Sequence, residues 1–110
     1  MEIFFSVYQF CEPLPAASWE PPYCAGIYAI LVRDSAYKPE PYRLIYIGES
    51  GDMSQRGFWR SHHKYDSWIA EAGSEDGLYI ATYLMPDVTP EGRREVESAI
   101  VTKYKPCCNN

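Results

Sequence analysis

Two apolar runs decide the fold of this chain: AGIYAILV at residues 25–32 and RLIYIG at residues 43–48. Each run is short, rich in β-branched and aromatic residues, and bounded by a turn-forming stretch, which is typical of a β-strand. The stretch between them contains two prolines, which a central strand does not tolerate. The two runs therefore predict a hairpin that places Tyr28 and Tyr46 on one sheet.

The rest of the pattern predicts one further strand and two helices. Leu78–Met85 alternates imperfectly and predicts a third strand. A short helix is expected over Asp66–Ala72, and a longer one begins at Pro90 with Thr89 as its N-cap. The predicted buried stripe of the longer helix consists of Val96, Ala99, Ile100 and Tyr104. We therefore expect an α/β domain of the α+β type, with a central, mainly antiparallel three-stranded sheet flanked by helices.

The first part of the chain is expected to pack on this domain. Ile3–Phe10 predicts an N-terminal strand, a candidate extra strand of the sheet, and Pro13–Pro22 predicts an extended connector. Residues 1–24 would form this accessory segment and residues 25–110 the domain itself. At 110 residues, with 46% hydrophobic and 15% aromatic residues, the chain can bury a single core.

Two classes of protein are disfavoured by the composition. No apolar run approaches the length of a membrane span, and the N-terminus lacks the order of a signal peptide, so a soluble cytoplasmic protein is expected. The cysteines are Cys11, Cys24, Cys107 and Cys108. Because they show neither paired CxxC spacing nor a Cys/His zinc pattern, they predict free thiols.

Three more features follow the tyrosine motifs in a fixed order. Arg56 stands ten residues after the tyrosine of the second motif, and Glu97 is followed by Pro106 nine residues later and Asn109 twelve residues later. The series GIY, YIG, a spaced arginine and E-x8-P-x2-N resembles the GIY-YIG nuclease family, whose members include homing endonucleases, repair incision subunits and some restriction enzymes. The resemblance covers about residues 25–109, nearly the whole chain.

The resemblance implies a metal-dependent endonuclease that hydrolyses DNA phosphodiester bonds. Glu97 would be the ligand of Mg2+ or Mn2+, and Asn109 would help to fix the site. Tyr28 is the implied general base and Tyr46 its hydrogen-bonding neighbour, although the sequence leaves open which tyrosine is the base. Arg56 offers a guanidinium fork that matches the geometry of phosphate oxygens.

The net charge of the chain affects how strongly such a protein would bind DNA. The chain has 15 acidic against 10 basic residues and a formal charge of -5, which argues against tight autonomous DNA binding. A local basic cluster nevertheless follows the second strand. Its candidate substrate-binding residues are Arg60, His62, His63 and Lys64. If Ser54–Tyr65 is helical, Arg56 and Arg60 share one face and can meet one phosphate.

Two departures from the family pattern leave a second interpretation open. The signature tyrosines are eighteen residues apart, further than is usual, which predicts a longer loop around Asp34–Pro41. Glu49 follows the second motif and adds negative charge where a phosphate should arrive. The alternative is a non-catalytic interaction module that binds a basic protein or mimics DNA. For a nuclease, target choice is expected to come from a protein partner, from homo-oligomerisation or from the loops.

Arg56→Ala should lower the rate of DNA cleavage by roughly 100- to 1000-fold, because it removes one preorganised donor to the phosphate in the transition state. Arg60→Ala should have a smaller effect on the rate and should mainly weaken DNA binding and its dependence on salt. The nicking rate of supercoiled plasmid compares the two variants with the wild type. Equal losses of rate would show that Arg56 is not the catalytic arginine.

Overall fold

A computed structural model describes residues 2–34, 36, 41–54 and 59–109 of the chain. The strands of the described part are β1 (Ile3–Phe5), β2 (Tyr8–Phe10), β3 (Leu14–Pro15), β4 (Gly26–Arg33), β5 (Tyr42–Ser50) and β6 (Leu78–Leu84). The helices of this part are α1 (Tyr65–Ala72) and α2 (Pro90–Tyr104), with short 3-10 turns at Ala16–Ser18 and Glu75–Gly77. The predicted α+β class is therefore confirmed.

The centre of the molecule is a four-stranded antiparallel sheet in the order β3-β6-β4-β5. Strand β4 lies inside the sheet, and every residue of it except Arg33 is buried. This burial on both faces explains why the first motif lies in an uninterrupted apolar run. The predicted three strands are confirmed as β4, β5 and β6, and the two-residue strand β3 adds a fourth.

The hairpin of β4 and β5 sets both tyrosines on one face. Tyr28 pairs with Gly48 and Ile30 pairs with Tyr46, after which the register shifts and Leu31 pairs with Leu44. The shift is a β-bulge, which skips one residue of β5 and lets neighbouring side chains point to the same face. Tyr28 and Ile30 are two residues apart on β4 and Ile30 pairs with Tyr46 before the shift, so the two phenols lie on one face and share one core cluster with Trp68 of α1.

The sheet has a separate core on each face. On one face α1 covers a cluster that contains Tyr28, Tyr46 and Trp68. On the other face α2 and the β1–β2 hairpin cover a second cluster, in which Phe10 and Ile100 are fully buried. The candidate tyrosines thus lie on the α1 face, whereas Glu97 is carried by the helix of the opposite layer.

The N-terminal predictions need correction. Ile3–Phe10 is not one strand, because the chain reverses at Ser6, which has a left-handed φ of 59°, and β1 pairs with β2 in a hairpin of its own. The predicted connector Pro13–Pro22 is also not simply extended, since it contains β3 and the 3-10 turn Ala16–Ser18. The extra strand of the main sheet is therefore β3 and not Ile3–Phe10.

Both predicted helices are confirmed, with two errors in the buried stripe of α2. The Thr89 hydroxyl accepts the Gly92 N–H at 3.1 Å, as expected for an N-cap, and Pro90 occupies the first turn. Ala99 and Tyr104 are exposed, contrary to prediction, whereas Ile100 is fully buried. The helix is rotated so that Arg93, seven residues before Ile100, also faces inward, which turns Ala99 towards solvent.

A helix over Ser54–Tyr65 is wrong for its described part. Residues 59–64 form turns, and α1 begins at Tyr65. The His62 side chain accepts the backbone N–H of Lys64 at 3.0 Å, and such a local bond competes with helical hydrogen bonding. Residues 55–58, including Arg56, lie outside the described residues, as does most of the expected loop Asp34–Pro41.

The C-terminal tail covers the outer edge of β5. The Cys108 N–H donates to the Ile45 carbonyl at 2.9 Å, and both polar atoms of the Asn109 amide pair with the backbone of Ile47 at 2.8 Å. An uncovered edge strand leaves backbone groups unpaired, so these bonds both hold the tail and complete the sheet.

Two expectations from composition can be compared with the structure. All four cysteines are free thiols, as predicted. Neither helix in the described ranges is long and apolar enough to cross a membrane.

Gly48→Ala should destabilise the fold by about 1–3 kcal/mol, because the new methyl group would overlap the Tyr28 ring carbon Cζ and its hydroxyl oxygen. Urea denaturation gives the free energy of unfolding of variant and wild type. Gly51→Ala is the matched control, since the nearest atom to its methyl group would be Arg93 Nη2 at an ordinary 3.5 Å. Equal stability of Gly48→Ala and Gly51→Ala would contradict the close contact.

Candidate active site

Tyr28, Tyr46 and His62 form one cluster of rings beside α1. Tyr28 and Tyr46 come from the adjacent strands β4 and β5, and His62 comes from the turn that precedes α1. The ring centroids of the two tyrosines are 6.1 Å apart, and that of Tyr46 lies 5.1 Å from that of His62. The Tyr28 hydroxyl oxygen is 3.0 Å from His62 Nε2.

The hydrogen-bond partners assign the protons in this cluster. His62 Nδ1 accepts the Lys64 N–H, so in the neutral ring the proton is on Nε2, which donates to the Tyr28 hydroxyl oxygen. The Tyr28 hydroxyl is also hydrogen-bonded to Tyr46, and because its oxygen already accepts from His62, its own proton is available for donation to the Tyr46 oxygen. A continuous chain of hydrogen bonds therefore runs from His62 through Tyr28 to Tyr46.

Both phenols are held in the neutral form. Burial raises the pKa of Tyr28 most, and the proximity of Tyr46, Glu97 and Glu49 raises it further. Burial also raises the pKa of Tyr46, with Glu97 adding to the effect. Because two of these causes are negative charges, added positive charge near Glu97 would make either phenol easier to ionise.

His62 sits in a sheltered aromatic setting. Its ring centroid is 4.6 Å from that of Trp68 and 4.4 Å from that of His63, which stacks on it from the solvent side. Burial lowers the pKa of His62 to about 4, and the neighbouring charges of His63 and Lys64 act in the same direction. The ring is therefore neutral at physiological pH and available as a hydrogen-bond donor through Nε2.

Glu97 is a half-buried carboxylate on α2 close to the tyrosines. Burial raises its pKa, the charge of Glu49 raises it further, and Arg94 partly opposes both. Glu97 makes no hydrogen bond or ion pair within the part of the chain that the structure describes. Among the described residues, no group of three or more His, Cys, Asp or Glu side chains is arranged to hold a metal ion. A cation here would therefore have few protein ligands.

A buried ion pair that sequence reasoning missed lies next to Glu97. The Arg93 Nε donates to Glu49 Oε2 at 2.9 Å, and Arg93 Nη1 donates to the Val88 carbonyl at 2.9 Å. Arg93 is only 8% exposed. The negative charge expected to repel a phosphate at Glu49 is thus matched by a guanidinium. The sequence does contain a sign of this arrangement. Arg93 stands four residues before Glu97, so the two lie on the same face of the predicted helix.

Asn109 acts on the backbone of the second motif. Its Oδ1 accepts the Ile47 N–H, and its Nδ2 donates to the Ile47 carbonyl, each at 2.8 Å. Ile47 lies between Tyr46 and Gly48 in β5. The amide thereby fixes the strand that carries Tyr46, so Asn109 is a positioning residue for the cluster.

The basic cluster reaches the site only in part. His62 contacts Tyr28 directly, and His63 stacks on His62. Arg60 instead lies over the Trp59 ring at 4.3 Å and pairs with Glu75 at 3.3 Å. Lys64 stands at the start of α1, where its backbone N–H bonds His62.

The architecture resembles that of a solved nuclease domain. The chain is similar to the GIY-YIG N-terminal endonuclease domain of UvrC from Thermotoga maritima, a point mutant crystallised with its catalytic divalent cation. The TM-score is 0.54 at 20% sequence identity, over 82% of this chain and 87% of that chain. The chain has a GIY-YIG fold. Neither a scan against protein-family models nor a search of curated proteins gives a match.

The GIY-YIG fold confirms the architecture that the sequence motifs implied. A likeness at this level of identity establishes the fold, and the activity has to be argued from the residues of this chain. The fold brings the tyrosines of both motifs together, and it carries Glu97 and Asn109 on α2 and the tail that follows it.

His62 should titrate at about pH 4 in the folded protein, well below its ordinary value of 6.5. The folded state then binds fewer protons than the unfolded state below pH 6.5, so stability should fall as the pH is lowered from about 6.5 towards 4. NMR of the His62 ring protons gives the pKa, with His62→Gln identifying the signal, and the melting temperature of this variant should depend less on pH over this range. A midpoint near 6.5 would contradict the sheltered environment.

Proposed function

We propose that this domain is an endonuclease that hydrolyses DNA phosphodiester bonds with a divalent cation as cofactor. The proposal rests on one observation above all. The hydroxyl of Tyr28 is hydrogen-bonded to His62 at 3.0 Å and to Tyr46, and the charge of Glu97 acts on both phenols. Such a cluster of proton-transfer groups beside a half-buried carboxylate has the components that phosphodiester hydrolysis needs.

Glu97 fits the role of cation ligand by its chemistry. It is a hard oxygen donor without a partner in the described chain, and burial together with Glu49 raises its pKa. Mg2+ and Mn2+ accept such oxygens and need only one or two protein carboxylates when water and phosphate complete the shell. When bound, the cation would supply positive charge that polarises the phosphate and neutralises the leaving oxygen.

Tyr28 is proposed to take the proton of the attacking water. It can do so only as the phenolate, so its own hydroxyl proton must first pass to solvent, and burial most of all, followed by Tyr46 and the charges of Glu97 and Glu49, opposes this ionisation. Positive charge near Glu97 would offset the influence of Glu97 and Glu49 on the pKa of Tyr28. His62 Nε2 donates a hydrogen bond to the Tyr28 oxygen and would stabilise a negative charge on that oxygen.

Substrate approach follows from the local charges. The pairing of Glu49 with Arg93 offsets one negative charge near the tyrosines, while the net charge of -5 still disfavours tight binding to bare DNA. Arg60, His63, Lys64 and Arg56 remain the proposed contacts to the phosphate backbone. Weak intrinsic binding is consistent with a protein partner or a homo-oligomer that supplies target choice.

Glu97→Gln should reduce nicking of supercoiled plasmid in Mg2+ or Mn2+ to background, because an amide no longer provides the anionic oxygen for the cation. Glu95→Gln is the matched control, since Glu95 is an exposed acid on the same helix and should retain the full rate. Melting temperatures establish that both variants are folded. A Glu97→Gln variant that nicks as fast as wild type would refute the cation role. A wild type that neither binds nor cleaves DNA at low salt would favour the interaction module.

Tyr28→Phe should lower the cleavage rate by about 100- to 10,000-fold with little change in melting temperature, because it removes the hydroxyl and keeps the packed ring. Tyr46→Phe tests the other phenol in the same assay, and Tyr23→Phe, at an exposed position, is the control. A larger loss in Tyr46→Phe would make Tyr46 the base. Full activity of a folded Tyr28→Phe protein would exclude Tyr28 from the mechanism.

A further inference from the structure

Two adjacent thiols lie on the tail that covers β5, and the second of them, Cys108, belongs to the buried cluster that also contains Tyr28 and Tyr46. Cys107 is exposed and Cys108 is 4% exposed, and their Sγ atoms are 3.7 Å apart. We propose that Cys107 and Cys108 form a thiol-modification site at which a low-molecular-weight disulfide creates an intramolecular disulfide, and that this oxidation releases the tail from β5. The inference does not depend on the nuclease activity.

The exposure of the two thiols sets the order of the exchange. The exposed Cys107 sulfur attacks the small disulfide as a thiolate, forms a mixed disulfide with one half and expels the other half as a thiol. Arg43 Nη1 lies 3.9 Å from this sulfur and also pairs with Glu71 Oε1 at 3.0 Å, so the thiolate shares this positive charge with a carboxylate. The other cysteines, Cys11 and Cys24, lie elsewhere in the fold, each against its own oxygen partner.

Cys108 completes the exchange within the protein. Its thiol loses a proton to solvent, attacks the Cys107 sulfur and expels the second small thiol, so that one external disulfide is reduced and two protein thiols are oxidised. Burial raises the pKa of Cys108 to about 12, with the bond to Cys107 adding to the effect. The second step is therefore slow near neutral pH and should accelerate as the pH rises.

Disulfide geometry links this reaction to the backbone. Adjacent Cα atoms across a trans peptide are about 3.8 Å apart, whereas disulfides usually join Cα atoms about 4.4–6.8 Å apart. Because the peptide fixes the Cα spacing, the two sulfur atoms, now 3.7 Å apart, can bond only if the backbone dihedrals around residues 107–108 change. The same backbone donates the Cys108 N–H to Ile45 and positions Asn109 against Ile47. A strained disulfide is also easily reduced, which makes the change reversible.

Release of the tail would remove hydrogen bonds from the edge of β5. The Ile47 N–H is held by Asn109 Oδ1, and Ile47 is the residue between Tyr46 and Gly48. Loss of that bond frees the edge of the strand that carries Tyr46. Oxidation at the tail would thus loosen the second motif through the backbone of β5.

The experiment treats the full chain with glutathione disulfide and follows three readouts. Intact mass and peptide mapping should show loss of two hydrogens and a bond between Cys107 and Cys108. Hydrogen exchange at the Ile47 and Cys108 amides should accelerate by about tenfold or more and return to its original rate after dithiothreitol. Cleavage, where present, should fall and recover in parallel.

Variants separate the proposal from general oxidation. Cys107→Ser, at an exposed position, should keep slow exchange at Ile47 after the same treatment, while a Cys11→Ser/Cys24→Ser double variant should respond like wild type. Cys108→Ala should stop at the mixed disulfide on Cys107. Accumulation of only a mixed disulfide in wild type across neutral to alkaline pH would overturn the proposal. Formation of the disulfide with unchanged exchange at Ile47 would overturn its coupling to β5.

Discussion

The contact between the Tyr28 ring and Gly48 is the constraint on which the candidate site depends. Because the ring lies where a side chain of residue 48 would stand, β4 and β5 can pair in this register without displacing the Tyr28 ring only when residue 48 is glycine. The pairing brings the Tyr28 hydroxyl within reach of His62. The same register pairs Tyr46 with Ile30 and so places it on the face that carries Tyr28. One close approach therefore explains why the second motif needs its glycine as well as its tyrosine.

The electrostatics of the site follow from burial. Burial raises the pKa of both phenols and of Glu97 and lowers that of His62, so each of the four groups favours its neutral form more than it would in water. Arg93 pairs with the neighbouring carboxylate of Glu49. A site arranged in this way is prepared to respond to added positive charge, which is the physical reason for preferring the nuclease interpretation over a passive binding surface.

Much of the fold could be predicted from the sequence, and the failures have local causes. The hairpin, the third main strand and both helices follow from apolar periodicity and from the Thr89 cap. The reversal at Ser6 was missed because a left-handed serine leaves no glycine or asparagine signal. The segment before α1 was misjudged because the His62 side chain, and not the main chain, takes the Lys64 N–H. The order of the motifs along the sequence predicted the candidate site residues. The pairing of Arg93 with Glu49 could not be predicted in this way, because it depends on tertiary contacts between α2 and β5.

The buried pair of Arg93 and Glu49 has a consequence for how related sequences can diverge. Removal of one partner would leave the other charge largely buried and unpaired, which lowers the free energy of unfolding. Removal of both charges can leave the stability nearly unchanged. The two positions are therefore expected to change together. Relatives with a neutral or basic residue at the position of Glu49 should have an apolar or small residue at the position of Arg93. Such covariation would separate sequences that have this ion pair from other proteins of the same fold.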